Sequence, residues 1–195
     1  PIGPVSDNWK SSTAFNDLAW LQCTGNPGGV GYERTSGYEH LISLDVESLM
    51  YNRNTTCYIR IPFTLNDRQS GYDSMMLNIR YNDGFVAYLN GIEVARRNFI
   101  GTPTASSTAS QNRPITEAFN FEFIDISDYL SELLIGNNLL AIQGLNFSNA
   151  SSEFLISAEL TAGKSSSSTD EIIDTGSKTG VLLYDGPITL NHSTQ

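Results

Sequence analysis

Apolar and polar side chains alternate at period two between Arg80 and Asn98, and the alternation is broken twice, at Asn82-Asp83-Gly84 and at Asn90-Gly91. Both interruptions consist of residues that tolerate the positive φ of a two-residue hairpin turn. The pattern predicts three antiparallel strands, over residues 75–81, 85–89 and 92–97. Upstream, residues 57–63 read as a strand in which Pro62 marks the end or a sheet edge, because proline donates no ladder hydrogen bond. Downstream, residues 119–123 alternate strictly and predict a half-buried strand, and residues 139–145 and 154–160 predict the last two. A short helix is expected to begin at residues 125–130, capped by Ser127. Its apolar stripe would be Tyr129, Leu130, Leu133 and Leu134, and Gly136-Asn137 would stop it. Segment 5–50 carries Trp9, Phe15, Trp20 and a turn-dense passage at 25–32, and reads as N-terminal strands and loops. Residues 66–73 and 98–114 read as polar loops.

About eight strands with local hairpins and one short crossover helix predict an all-β fold, an antiparallel jelly-roll β-sandwich over residues 1–162. The length of 195 residues accommodates one such core and a small appendage. Residues 163–170 form a Ser-rich linker by composition. Residues 171–195 have two short strand signals around Asp185-Gly186-Pro187, too little to bury a core of their own. They read as a truncated following domain or an added edge strand. A start at Pro1 and an abrupt stop at Gln195 give the expectation of a piece of a longer protein.

Charge narrows the partners. With 21 acidic against 11 basic residues the formal net charge is −10, a field that repels phosphate backbones and acidic membranes. Nucleic acid is not expected as a partner, and the absence of a long apolar run predicts no membrane-spanning helix. Low charged content beside abundant Gly, Ser, Thr and Asn fits a loop-rich secreted or cell-surface β module, expected to be monomeric. Cys23 and Cys57 either pair, a bridge contributing on the order of 3 to 4 kcal/mol, or remain buried free thiols.

The block 80–98, with Tyr58-Ile59-Arg60-Ile61-Pro62-Phe63 before it and Gly136-Asn137-Asn138-Leu139-Leu140-Ala141-Ile142-Gln143-Gly144 after it, resembles a galactose-binding-like jelly-roll module. Modules of that kind are appended to secreted bacterial multidomain proteins. The segment Tyr184-Asp185-Gly186-Pro187-Ile188-Thr189-Leu190 resembles the start of a chitobiase C-terminal-type β domain. The first resemblance covers about residues 9–161 and implies carbohydrate binding or a connector role outside the cell. It also implies a structural Ca2+, because such sandwiches hold one with carboxylates, amide oxygens and carbonyls. The resemblance places N-terminal loops beside the final strand, which makes Asn16, Asp17 and Glu159 the candidate ligands. The Asn82-Asp83-Gly84 turn resembles the paired-aspartate calcium turn of another glycan-binding class, with Asn82 in place of the first aspartate.

Strand direction supplies a separate argument, since each antiparallel strand returns the chain to the opposite end. If strand 57–63 runs upward, Asn90-Gly91 and the helix lie at the top. Asn82-Asp83-Gly84, the 98–118 loop and the 144–152 loop meet at the bottom, which gathers Asp83, Arg97, Asn98, Asn112, Arg113, Asn146 and Asn149, with Tyr51 nearby. A sugar site needs planar hydrogen-bonding groups and an aromatic face. The ligand candidates at this end are therefore Asp83, Arg97, Asn98, Asn146 and Tyr51; Trp20, Tyr32 and Tyr38 in the N-terminal loops are the candidate stacking platform, the sequence leaving open which end they occupy, and Trp9 is assigned to packing. Asp83 either meets a ligand or braces its own turn against Arg80 or Arg97. Arg96 points to the opposite face of the strand from Arg97.

Catalysis is not expected. No Gly-x-Ser-x-Gly elbow or phosphate loop occurs, His40 and His192 lack a nucleophile partner, and no carboxylate pair stands out. The expected function is a non-catalytic carbohydrate-binding module that keeps an attached polysaccharide-active enzyme near a plant or algal polysaccharide. The alternative is a structural or adhesion connector of a bacterial surface protein, which predicts no exposed aromatic platform.

Overall fold

A computed structural model of the chain describes residues 5–35, 37–65 and 72–163. The linker and the chitobiase-like segment expected beyond residue 163, and most of the 66–73 loop, lie outside the described residues. Nine strands are present among them: β1 (Gly29–Glu33), β2 (Ile42–Asp45), β3 (Thr56–Leu65), β4 (Ser74–Asn82), β5 (Gly84–Leu89), β6 (Ile92–Arg97), β7 (Glu122–Asp125), β8 (Gly136–Leu145) and β9 (Glu153–Gly163). They form a five-stranded sheet in the order β2-β1-β9-β4-β7 and a four-stranded sheet in the order β3-β8-β5-β6. The fold is the expected all-β sandwich, and every strand pair is antiparallel except β1 with β2, which is parallel.

Period-two alternation sorts the side chains. Ile59 and Ile61, Leu77 and Ile79, Phe85, Ala87 and Leu89, Leu140 and Ile142, and Phe154 and Ile156 face the space between the sheets and form the main core. The four-stranded sheet is also covered on its outer side. There Val86, Tyr88, Leu139, Ala141 and Leu145 are buried with Trp9 and Ala109, and Phe15, Trp20 and Phe99 pack against them. Cover on both faces explains why β5 and β8 are buried almost throughout instead of alternating. On the outer side of the five-stranded sheet Leu155 is covered by Tyr38, Leu41 and Ala118, the last from α2 (Ile115–Ala118).

Three expectations are corrected. Asn82-Asp83-Gly84 is not a hairpin turn: β4 and β5 belong to different sheets, so the chain crosses the sandwich there. Gly84 is needed for close approach, since a Cβ would stand 2.9 Å from the Arg97 carbonyl oxygen. The Asn90-Gly91 turn does join β5 to β6, with φ of 51° and 96° as a type I′ turn requires. The expected short helix is a 3-10 helix over Ser127–Glu132, and the corrected point is its cap: Ser127 is its first residue, and Asp125 Oδ1 accepts from both the Ser127 N–H and its hydroxyl. Finally, the strand expected over 119–123 begins at Glu122, and its inward side chain is Ile124, which leaves Phe123 on the outer face, 68% exposed. Cys23 and Cys57 are free thiols, both at the main core.

Candidate functional site

The lower end of the sandwich assembles as strand direction predicts, but around Asp83 as a brace. Asp83 is fully buried. Its Oδ1 accepts the Arg113 backbone N–H at 2.9 Å and its Oδ2 that of Phe147 at 2.8 Å, while Asn98 Nδ2 donates to the Asp83 carbonyl at 2.8 Å. The carboxylate thus ties two long loops to the crossing between sheets, and both of its oxygens are engaged by backbone. Burial raises the Asp83 carboxyl above its ordinary value, and the two N–H donors offset that only in part. Arg97 pairs with Glu122 at 2.6 Å, and Tyr81 donates to the same carboxylate at 2.8 Å. Arg96 pairs with Glu93 instead, the separation expected of adjacent strand positions.

The anticipated aromatic platform does not form at that end. Tyr32 is 1% exposed, donating to the Ser151 carbonyl at 2.8 Å and accepting from Asn146 Nδ2 at 3.0 Å, and Asn146 is fully buried with it. Tyr38 is buried edge-on to Phe119 with centroids 6.1 Å apart. Tyr51 is half-buried beneath the Arg34 guanidinium, 4.0 Å from the ring centroid. Trp20 is half-buried on the outer side of the four-stranded sheet, edge-on to Phe15 at 5.6 Å. Tyr32, Tyr38, Asp83 and Asn146 are all buried, and the Tyr38 hydroxyl and Asn146 Oδ1 have no hydrogen-bond partner among the described residues.

The three calcium candidates are not brought together. Asp17 accepts from Arg60 Nε at 2.9 Å over the four-stranded sheet, and Asn16 beside it is exposed, its Oδ1 accepting the Leu18 N–H at 3.3 Å. Glu159 stands on β9 at an outward position of the other sheet, opposite Asn78 in register. Among the described residues no group of three or more His, Cys, Asp or Glu is arranged to hold a metal ion.

A cavity of about 170 Å3 opens elsewhere, on the outer side of the four-stranded sheet, lined chiefly by Asp7, Trp9, Lys10, Tyr58, Tyr88 and Gln143 with the 103–105 loop. Its floor comes from adjacent strands, since Tyr58 on β3 and Gln143 on β8 are register partners. Its wall is the 3-10 helix Asp7–Lys10, held down by Arg60, whose guanidinium donates to the carbonyls of Trp9 and, at 2.9 Å, Ser12, besides binding Asp17. Trp9, assigned to packing from sequence, is buried and stands edge-on to both tyrosines, at 4.8 Å from Tyr58 and 5.9 Å from Tyr88.

Gln143 gives the cavity its chemistry. Its Nε2 donates to the Thr104 carbonyl at 2.7 Å, which fixes the side-chain amide in the cavity lining. Burial raises both phenols, Tyr88 to about 12, so both remain neutral hydroxyl donors at neutral pH. Lys10 Nζ lies 5.0 Å from the Tyr88 ring centroid and 3.7 Å from Asp7 Oδ1. The site thus offers aromatic surface, a fixed side-chain amide, neutral hydroxyls and one exposed ion pair. None of its residues was among the sequence candidates for ligand binding. They lie far apart along the chain, and nothing in local spacing connects them.

No family model matches the chain, and no curated protein matches it. Among solved structures it is similar to part of the alpha-L-rhamnosidase of Streptomyces avermitilis complexed with L-rhamnose, at 20% identity and a TM-score of 0.34, covering 56% of this chain and 8% of that one. It is similar likewise to the native alpha-L-rhamnosidase of Aspergillus terreus, at 17% identity and TM-score 0.36, covering 58% of this chain and 13% of that one. A beta-glycosidase from Bacteroides vulgatus matches at 14% identity and TM-score 0.37, with 84% of this chain and 19% of that one covered. The chain spans less than two thirds of the length of each of these proteins.

Proposed function

We propose that this domain is a non-catalytic carbohydrate-binding module that seats one sugar ring in the cavity of the four-stranded sheet and holds an attached polysaccharide-active enzyme near a plant or algal polysaccharide. The observation that carries the reading is the Gln143 side-chain amide, fixed by its bond to Thr104 in the cavity lining beside Tyr58 and Tyr88. A pyranose has an apolar face for the aromatic surface and hydroxyls for the amide and phenols. A side-chain amide held in one orientation favours a ligand whose hydroxyls match it. The volume is below the ~300–1,000 Å3 of drug-sized pockets, which suits a single ring. Asp7 is the one carboxylate among the lining residues, whereas glycoside hydrolysis uses a pair. Weak binding of one ring becomes useful through tethering, which turns the enzyme's encounter with its substrate into an intramolecular one.

Burial of Tyr32 and Tyr38 favours the connector reading for the lower end of the sandwich. Glycan-array screening and affinity electrophoresis of the chain distinguish the two. Retention by at least one polysaccharide supports the module, and a folded domain that binds none supports the connector.

A further inference from the structure

The outer side of the five-stranded sheet carries a second arrangement, remote from the cavity. Phe123 on β7, Asn78 on β4 and Glu159 on β9 are register partners in one row across three strands. One outward position lower stands Arg80, whose guanidinium stacks on Phe121 with Cζ 3.6 Å from the ring centroid. The Arg80 Nε donates to the Phe119 carbonyl at 3.0 Å, which fixes the group, and its two terminal nitrogens make no hydrogen bond or ion pair among the described residues. Arg34, Arg60, Arg96, Arg97 and Arg113 all have carboxylate partners. Burial lowers the Arg80 pKa and the charge of Glu159 opposes that, so Glu159 is within electrostatic reach without being bonded.

Two further features are costly for a free surface. Phe123 is 68% exposed, its ring 6.5 Å from that of Phe121 and tilted by 57°. Asn78 is 8% exposed, and its Oδ1 is buried with no hydrogen-bond partner. An exposed ring, a fixed guanidinium with two free donor groups, a carboxylate and an orphaned amide oxygen therefore share one rigid sheet face. We infer that this face is a second binding site, for a neutral polyhydroxylated ring that stacks on Phe123, accepts hydrogen bonds from Arg80 and donates them to Glu159. Glu159 and the net charge of −10 disfavour an anionic ring. The ligand class is that of the proposed cavity site, and the inference rests on that reading for its biological sense. The two sites lie on opposite outer faces of the sandwich, so one domain would hold two chains, or two segments of one chain, and gain retention by avidity.

The test is 15N NMR of the 195-residue chain, titrated separately with cellohexaose, xylohexaose, galactohexaose and tri-galacturonic acid, and repeated with Phe123→Ala. Phe123 is exposed, so that variant keeps the fold. The expected result with a neutral hexamer is a set of shifts at Asn78, Phe121, Phe123 and Glu159, together with a set at Tyr58, Thr104 and Gln143. Phe123→Ala should weaken the first set about tenfold or more and leave the second unchanged. Shifts confined to the cavity overturn this inference and leave the proposed function standing. Shifts at the Phe123 face without any at the cavity sustain this inference and overturn the cavity reading. A preference of the Phe123 face for tri-galacturonic acid overturns the neutral ligand class, and the absence of shifts with every probe overturns both.

Discussion

Gln143 and Thr104 are joined by a 2.7 Å hydrogen bond from the side-chain amide to the backbone carbonyl, and that bond turns a flexible side chain into a fixed polar group. It also attaches the 103–105 loop to the middle of β8, so one contact shapes both the floor and the rim of the cavity.

Replacing Gln143 with Leu removes the amide while keeping the bulk. The expected outcome is a loss of sugar affinity of about 10- to 100-fold, the size of one or two buried hydrogen bonds. Gln143→Glu keeps an acceptor but cannot donate to Thr104 when ionised, and should weaken binding by loosening the loop. Isothermal titration of both variants, beside their thermal melts, checks this.

Asp83→Asn leaves an amide N–H2 facing a backbone N–H that the carboxylate accepts in the native protein. The expected cost is about 1–3 kcal/mol of stability with no effect at the cavity. The pH dependence has a definite sign. A carboxyl raised on folding contributes stability that is fully present below its ordinary range and is lost as pH rises through the folded value. The stability difference between native protein and variant should therefore move against the native protein as pH rises from acid toward neutral. Urea unfolding at a series of pH values reads it directly. Glu122 has the opposite sign: burial raises its carboxyl, but hydrogen bonds from Tyr81 and Arg97 more than offset that and hold it below its ordinary value. Its contribution is present above the ordinary range and is lost as pH falls through the depressed value.

The N-terminal segment depends on Arg60. Arg60→Met releases the carbonyls of Trp9 and Ser12 and leaves Asp17 unpaired, at a cost on the order of 3 kcal/mol. Hydrogen exchange should show faster exchange at Trp9, Ser11, Ser12 and Trp20, whose N–H groups bond within that segment, with β8 still protected. Sugar binding should fall as well, since Trp9 and Lys10 form the cavity wall.

Gly31→Ala tests the pairing of β1 with β9. A Cβ there would stand 2.2 Å from the Phe154 carbonyl oxygen, a backbone atom that cannot swing aside. The expected loss is about 1–3 kcal/mol by equilibrium unfolding.

Much of the fold was legible because it depends on local signals. Asn90-Gly91 carries its turn type in its own conformational tolerance, and the strands 57–63, 85–89, 92–97 and 139–145 follow from alternation or continuous apolarity. Asn82-Asp83-Gly84 was misread because a crossing between sheets and a tight hairpin both need small, polar residues between two strands; only pairing partners distinguish them. The short parallel pair β1 and β2 has no period of its own. The convergence of Asp83, Asn98, Arg113 and Asn146 followed from strand direction, whereas their burial did not, because it depends on loops that close over them. The cavity was not legible at all. Trp9, Tyr58, Tyr88, Thr104 and Gln143 each sit in a segment where they read as ordinary strand or loop residues, and only register and the Arg60 clamp bring them together.

The measurement that bears most directly on the account is the affinity of the native chain and of Tyr58→Ala for the oligosaccharide best retained in the array, with melting of both followed in parallel. The account predicts that Tyr58→Ala binds at least about tenfold more weakly while still melting cooperatively, at a lower temperature because its ring packs against Trp9. Equal affinity in a folded Tyr58→Ala would contradict it, and so would a folded native chain that binds no oligosaccharide.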